Sequence, residues 1–280
     1  MTEQPGNPQR DHYTLAPLSW LAGCSDRGQR HETNQDALAL GGRETEDGPL
    51  AVMVISDGVS TSLGSELSAA LAAEEASASL VDLLRTDPHA SPEAAQRGLA
   101  TAFDTANRAV LASEGPGEQP GSCTLIAAVV NDGRITVSNV GDCRGYWIGD
   151  DGQAQILSVD DSLAQARIEL GMSREEAERS FQAHAITRWL GPDSADVTPR
   201  QATIDVPGAG WLVVCSDGLW NYRSTPEEMS ELVLRTAEAA QQSPARTAEL
   251  LVDWANGQGG RDNITVALTR LDGSGPSPMG

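Results

Sequence analysis

The chain has 280 residues and a formal net charge of −21, with 39% hydrophobic and 21% charged residues. Length and composition suit a soluble globular fold with one large core or two modest ones, and no apolar run reaches membrane-spanning length. The acidity argues against nucleic acid as a partner, because a phosphate backbone needs a basic surface.

In chain order, residues 1–15 are polar and read as a loosely ordered tail without a visible signal peptide. Ser19 to Ser25 predicts a first strand. A polar stretch then leads to Asp36, at the edge of an apolar run from Ala37 to Leu40, and residues 41–49 read as a hairpin-like loop. Ala51 to Ile55 is unbroken apolar sequence that runs into Ser56-Asp57-Gly58, which predicts a buried strand delivering a carboxylate to its end. Ser65 to Arg85, rich in Ala, Leu and Glu, predicts a helix. Asp87-Pro88 breaks it, and Ser91-Pro92 restarts a second helix that runs to about Ala109. Residues 114–121 read as a flexible loop.

Between Ser122 and Val159, short apolar runs alternate with the turn signals Asn131-Asp132-Gly133, Gly141-Asp142 and Asp150-Asp151-Gly152, which predict an antiparallel meander. Ser162 to Phe181 reads as helical, with a break at Gly171 and a capping box from Ser173 to Glu176. Strands follow at Gln201–Val206 and Trp211–Cys215. Helices follow at Pro226–Ala239, capped by Thr225, and Pro244–Trp254, capped by Ser243. Ile264–Leu271 is the last strand and 273–280 a flexible end. The helices do not alternate with single strands, so antiparallel sheets with helices outside fit better than a doubly wound sheet. Residues 16–272 read as one domain.

Asp57 recurs in kind. Trp211 to Cys215 delivers Asp217 through a second Ser-Asp-Gly, and Asp262 precedes the last apolar run. A lone Asp-Gly is ordinarily a turn, whereas three carboxylates at strand ends suggest a site for hard cations such as Mg²⁺ or Mn²⁺. Asp142, taken alone, is a hairpin-turn residue. The cysteines Cys24, Cys123, Cys143 and Cys215 are scattered and read as reduced thiols of a cytoplasmic protein, with no zinc-like pair. Cys24 to Arg30 satisfies the C-x₅-R pattern of cysteine-dependent phosphatases, but its loop carries Asp26, which repels phosphate and raises the thiol pKa. No G-x-S-x-G elbow supports a serine hydrolase.

The segments NQDA at 34–37, SDGV at 56–59, GSCT at 121–124, NVGDCR at 139–144, ITRWLG at 186–191, SDGL at 216–219 and RDNIT at 261–265 resemble, in this order, the PPM family of metal-dependent serine/threonine protein phosphatases, also called protein phosphatase 2C. They span about residues 20 to 270. The resemblance implies an α+β fold, an α-β-β-α sandwich of two antiparallel sheets flanked by helices, with a metal cleft at one edge. It implies two Mn²⁺ or Mg²⁺ ions that share Asp57 and activate water against a phosphoserine or phosphothreonine ester. The Gly58 carbonyl would bind one ion, Asp217 and Asp262 would complete the second, and Asp142 would help hold a third, weaker one. Asp36 matches an acid behind the metals, and 162–185 matches a mobile flap.

The implied role is a monomeric signalling enzyme, opposing a serine/threonine kinase on phosphorylated proteins, without membrane or nucleic-acid partners. Three positions depart from the family pattern. His31, beside Arg30, stands where an Arg usually grips phosphate. Ser60-Thr61-Ser62 replaces Gly-Gly-His, and Asp160-Asp161-Ser162 replaces Asp-His-Ser. Arg188 reads as an ion-pair anchor for the flap, and Asn263 as a turn residue supporting Asp262. A binding module on the same fold and a phosphatase of small phosphate esters are the alternatives.

Overall fold

Alternate residues of the strand Gly48–Asp57 serve two different cores. Val52 and Val54 point to one apolar cluster, and Ala51, Met53 and Ile55 to another. Successive side chains of a strand face opposite ways, so a strand covered on both sides is apolar throughout. That burial explains the unbroken run. The computed structural model describes residues 11–113 and 120–273.

The strands are β1 (His12–Leu18), β2 (Leu21–Asp26), β3 (Asp36–Thr45), β4 (Gly48–Asp57), β5 (Leu125–Asn131), β6 (Arg134–Val140), β7 (Arg144–Gly149), β8 (Ala154–Ile156), β9 (Arg200–Asp205), β10 (Ala209–Cys215) and β11 (Ile264–Asp272). They form two antiparallel sheets, ordered β1-β2-β11-β10-β7-β8 and β3-β4-β5-β6-β9. The long helices are α1 (Ser65–Thr86) and α2 (Pro92–Ala112) after β4, and α6 (Pro226–Ala239) and α7 (Pro244–Gly257) before β11. Between them lie the short α3 (Leu163–Glu169), α4 (Arg174–Glu178) and α5 (Asp217–Trp220).

The layers follow from the side chains. Ala69, Ala72, Ala76 and Leu80 of α1 and Leu99 and Phe103 of α2 cover the outer face of the five-stranded sheet. Met229, Leu232 and Val233 of α6 and Leu251 and Val252 of α7 cover the six-stranded one. Met53, Ile55, Ile126 and Val137 meet Leu212, Val214 and Ala267 between the sheets. The fold is therefore the α-β-β-α sandwich implied by the motifs. The predicted caps form: Ser91, Thr225 and Ser243 each accept a backbone N–H of the first turn, and Thr225 with Glu228 closes a full capping box.

Three expectations need correction. The first strand is preceded by another: His12–Leu18 pairs with Leu21–Asp26, so residues 12–15 belong to a hairpin and not to a loose tail. Residues 41–45 and 48–49 continue the β3–β4 ladder and are not loop. The supposed meander is split, because β5 and β6 lie in one sheet and β7 and β8 in the other; Gly141-Asp142 carries the chain across the sandwich, and β6 pairs instead with β9. Turn residues look alike whether the next strand returns to its neighbour or leaves for another sheet. The segment 162–181 holds the two short helices α3 and α4, broken around Gly171 and with Ser173 accepting from Glu176 N at the start of the second, as its sequence predicts. Residues 1–10 and 274–280 of the predicted tails and 114–119 of the predicted loop fall outside the described residues.

Phe103 is fully buried between α2 and the five-stranded sheet. Phe103→Ala should lower unfolding stability by about 3–5 kcal/mol in denaturant titrations; a loss below about 1 kcal/mol would show that this layer is not close-packed.

Candidate metal centre

Asp36 opens β3 and Asp57 closes β4, and the register sets them directly opposite each other at one edge of the five-stranded sheet. Asp57 is fixed through its backbone: its N–H donates to Thr124 Oγ1 (3.2 Å), its carbonyl accepts from Thr124 N (2.7 Å), and the adjoining Ser56 Oγ donates to Thr124 O (2.7 Å). Gly58 N donates to Gln35 O (3.1 Å). The chain turns away from the sheet there.

The six-stranded sheet brings the other acids. Asp217 begins α5 immediately after β10, and Asp262 precedes β11. A Cβ on Gly218 would lie 1.9 Å from Asn263 O, so only glycine lets these two loops close together. Asn263 then acts as a clasp. Its Oδ1 accepts from Gln35 N (2.8 Å), and its Nδ2 donates to Arg27 O (2.8 Å) and Thr33 O (3.2 Å), holding the loop of Asp262 against the approach to Asp36. The supporting role expected for Asn263 is what the bonds describe.

Asp36 stitches the sheets together. Its Oδ2 accepts from Ser216 Oγ (2.8 Å) and Thr265 Oγ1 (2.6 Å), while Thr265 N donates to Ser216 Oγ (3.0 Å). These hydroxyls, with Thr124, are the supporting residues that the sequence did not single out. The available signal was their position beside the aspartates, within the Gly-Ser-Cys-Thr, Ser-Asp-Gly and Asp-Asn-Ile-Thr segments.

Asp57, Asp142, Asp217 and Asp262 line one cleft of about 1230 Å³. Burial pushes the Asp36 and Asp142 carboxyls up to about 7. Asp57 and Asp217 keep part of their surface open to the cleft, yet they too are driven well above the usual range, by burial first and then by the neighbouring carboxylates. Among the described residues, no Lys or Arg lines the cleft to neutralise them.

This arrangement fits hard divalent cations. Every donor is an oxygen, and Asp217 Oδ1 is buried without a hydrogen-bond partner. Among the described residues, no three or more His, Cys, Asp or Glu side chains already close on one point as a finished cage; the carboxylates line an open trough instead.

His31 is not in that trough. Its Nε2 stands 3.1 Å from Asp262 Oδ1, and Arg30 beside it is exposed. Asp142 sits in the crossover between sheets, its carbonyl accepting from Trp220 Nε1 (2.9 Å). Arg144, fully buried, stacks 3.6 Å over the Trp220 ring, pairs with Asp160 (2.7 Å) and donates to Ser224 O (2.8 Å). Asp161 accepts from Gly141 N (3.1 Å) and pairs with Arg188 (3.3 Å) and Arg200 (2.9 Å). The Asp160-Asp161 departure thus feeds two ion-pair anchors at the base of 162–185, and Arg188 is one of their partners. Cys24 is buried with its thiol pushed up to about 11 by burial, which disfavours the thiolate that a nucleophile needs.

Residues 25–254 match the family model described as protein phosphatase 2C. The chain belongs to that family. The serine/threonine phosphatase stp of Listeria innocua is 32% identical over 146 residues, 52% of this chain and 55% of that protein; the chain thus matches about half the length of such relatives. Among solved structures, the S. agalactiae serine/threonine phosphatase shares the fold at 24% identity and a TM-score of 0.74, over 93% of this chain and 100% of that one. The catalytic domain of the serine/threonine protein phosphatase PstP, solved with two manganese ions, does so at 25% identity and a TM-score of 0.68, over 90% and 98%. Membership of the protein phosphatase 2C family agrees with the oxygen-only cleft. Among the described residues, no helix is long and apolar enough to cross a membrane.

The raised Asp36 pKa has a stability consequence. A carboxyl with an ordinary value near 3.8 that is held at about 7 in the fold favours the folded state while protonated. That preference is lost as pH rises from about 4 through 7. In EDTA, wild type should therefore lose stability relative to Asp36→Asn between about pH 5 and 8, by roughly 2–4 kcal/mol. A pH-independent difference in thermal unfolding between the two proteins would refute the shift.

Proposed function

We propose that the protein hydrolyses phosphoserine and phosphothreonine esters in protein substrates, with two divalent cations held by Asp57, the Gly58 carbonyl, Asp217 and Asp262, and a weaker third held with the help of Asp142. The observation that carries this reading is the convergence of these acids on one uncompensated cleft. Family membership and the manganese-bound relative support it. Bound there, Mn²⁺ or Mg²⁺ supplies Lewis acidity toward the phosphoryl oxygens and a nucleophile at neutral pH.

The chain's own residues do the rest. Asp57 is anchored by Thr124, so its carboxylate is held in place without a charged partner. Asp36, directly opposite Asp57 in the β3–β4 register, is placed to exchange a proton with a group beside Asp57. His31 is read as a group that orients Asp262, given their 3.1 Å contact, in place of the phosphate grip expected of that position. The segment 162–185 has a core of only Ala164, Ala177 and Ala183 with Ile168 packed on it, which suits a flap that shifts beside the cleft. The cytoplasm, a monomer and an opposing serine/threonine kinase complete the proposal.

Hydrolysis of a phosphothreonine peptide should require Mn²⁺ or Mg²⁺ and vanish in EDTA. Asp57→Asn should lower kcat by at least about 10²-fold with the fold intact by circular dichroism. Cys24→Ser should retain near-wild-type rates. Full activity in EDTA would end the metal reading, and an inactive, folded Cys24→Ser protein would restore the thiol one. Hydrolysis of small phosphate esters without any of phosphopeptides would move the function to the small-ester alternative.

A further inference from the structure

Away from the carboxylates the cleft presents apolar side chains among polar ones such as Thr61, Ser122 and His184, and the proposed reaction makes no use of them. Leu63 lines the cleft and is 91% exposed; Leu67, one turn along on α1, is 53% exposed. Ile186, Trp189 and Pro192 line the same cleft. The Trp189 Nε1–H donates to Pro192 O (3.0 Å), and Ser194 Oγ donates to Trp189 O (2.6 Å). The polar end of the indole is thus used within its own loop, and the half-buried ring keeps part of its apolar surface open to the cleft.

This rim is locked to the metal-binding strand. A Cβ on Gly121 would lie 2.5 Å from Ser65 N, and one on Gly191 would lie 2.7 Å from Gly121 O, so the loops carrying Leu63 and Trp189 pack backbone to backbone through residue 121. Cys123 and Leu190 exchange two backbone hydrogen bonds (3.1 and 2.8 Å), and Gly58, next to Asp57, bridges to Cys123. Asn107 Oδ1 accepts from Gly191 N (2.9 Å). A side chain seated on this rim is held at a fixed position relative to Asp57. The small-cored flap offers no such fixed reference.

Charge indicates the occupant. Asp193, which is not among the carboxylates proposed to hold cations, stands at the rim, and among the described residues no Lys or Arg lines the cleft. An acidic residue flanking the phosphorylated side chain meets Asp193 there and finds no Lys or Arg, whereas an apolar flank is buried against Leu63 and Trp189.

We propose that Leu63 and Trp189 form a specificity-determining subsite that receives a large apolar side chain adjacent to the phosphorylated residue of a peptide substrate. The proposal rests on the phosphopeptide reaction proposed above.

Three phosphothreonine peptides, differing only in having Leu, Ala or Glu on both sides of the phosphothreonine, test it with Mn²⁺ present and a small aliphatic phosphate ester run in parallel. Wild type should show about a tenfold higher kcat/KM for the Leu-flanked than for the Ala-flanked peptide, expressed mainly in KM, with the Glu-flanked peptide slowest. In Leu63→Ser, at a position too exposed for the change to threaten folding, the Leu-to-Ala ratio should fall to within about twofold of one. Equal wild-type values for the Leu and Ala peptides, both being hydrolysed, overturn the subsite and leave the phosphatase reading standing. A tenfold preference that survives in Leu63→Ser overturns the assignment to this rim. Turnover of the small ester with none of the three peptides overturns the phosphopeptide reading and the subsite with it.

Discussion

The structure depends on a crowd of carboxylates set at a seam between two sheets. Bringing Asp36, Asp57, Asp142, Asp217 and Asp262 together out of bulk water is unfavourable by both desolvation and mutual repulsion. Among the described residues, no Lys or Arg lines the cleft to offset it. The surroundings tolerate the cluster because they are well ordered. Neutral donors fix the backbone and second oxygens of these acids: Thr124 for Asp57, Ser216 and Thr265 for Asp36. A neutral clamp leaves these acids without a charged partner, the condition on which the proposed cation site rests.

The sandwich makes this possible. The inner strands of each sheet are buried on both faces, which holds the strand ends that carry the acids in place. Asp36 and Asp57 come from one sheet, and Asp217 and Asp262 from loops of the other. The hydrogen bonds from Ser216 and Thr265 to Asp36 join the two sheets at the edge where they meet. The buried Arg144 does a related task on the far side of Asp142: it pairs with Asp160 and stacks on Trp220, whose indole holds the Asp142 carbonyl. A buried cation with this many partners is costly to disturb, which makes it a firm footing for the segment that begins at Ser162.

Much of this was legible in the sequence because it rests on local patterns. Apolar runs closed by Ser-Asp-Gly announced the strand ends, Ser-Pro and Thr-Pro announced helix starts, and the ordered motifs announced the sandwich. What was not legible involves partners distant in sequence. Nothing local says that the turn at Gly141-Asp142 leaves its sheet, since only the pairing of β6 with β9 reveals it. Nothing near His12 signals the hairpin with β2, whose partner β11 comes at the end of the chain. His31 occupied the position of a phosphate-gripping residue by spacing, but its ring is directed to Asp262, a contact that sequence separation conceals. The hydroxyls of Ser216 and Thr265 were adjacent to the named aspartates, yet their bond is to Asp36, on a different sheet.

The central claim is that the carboxylate cluster exists to take up cations. Calorimetric titration of EDTA-treated, dialysed protein with Mn²⁺ at about pH 6.5, repeated in buffers of different ionisation enthalpy, tests it without any assay of turnover. The account predicts two strong sites per chain, net release of protons as the raised carboxyls ionise, and loss of strong binding in Asp57→Asn. An absence of Mn²⁺ binding, or equal binding by wild type and Asp57→Asn, would contradict it.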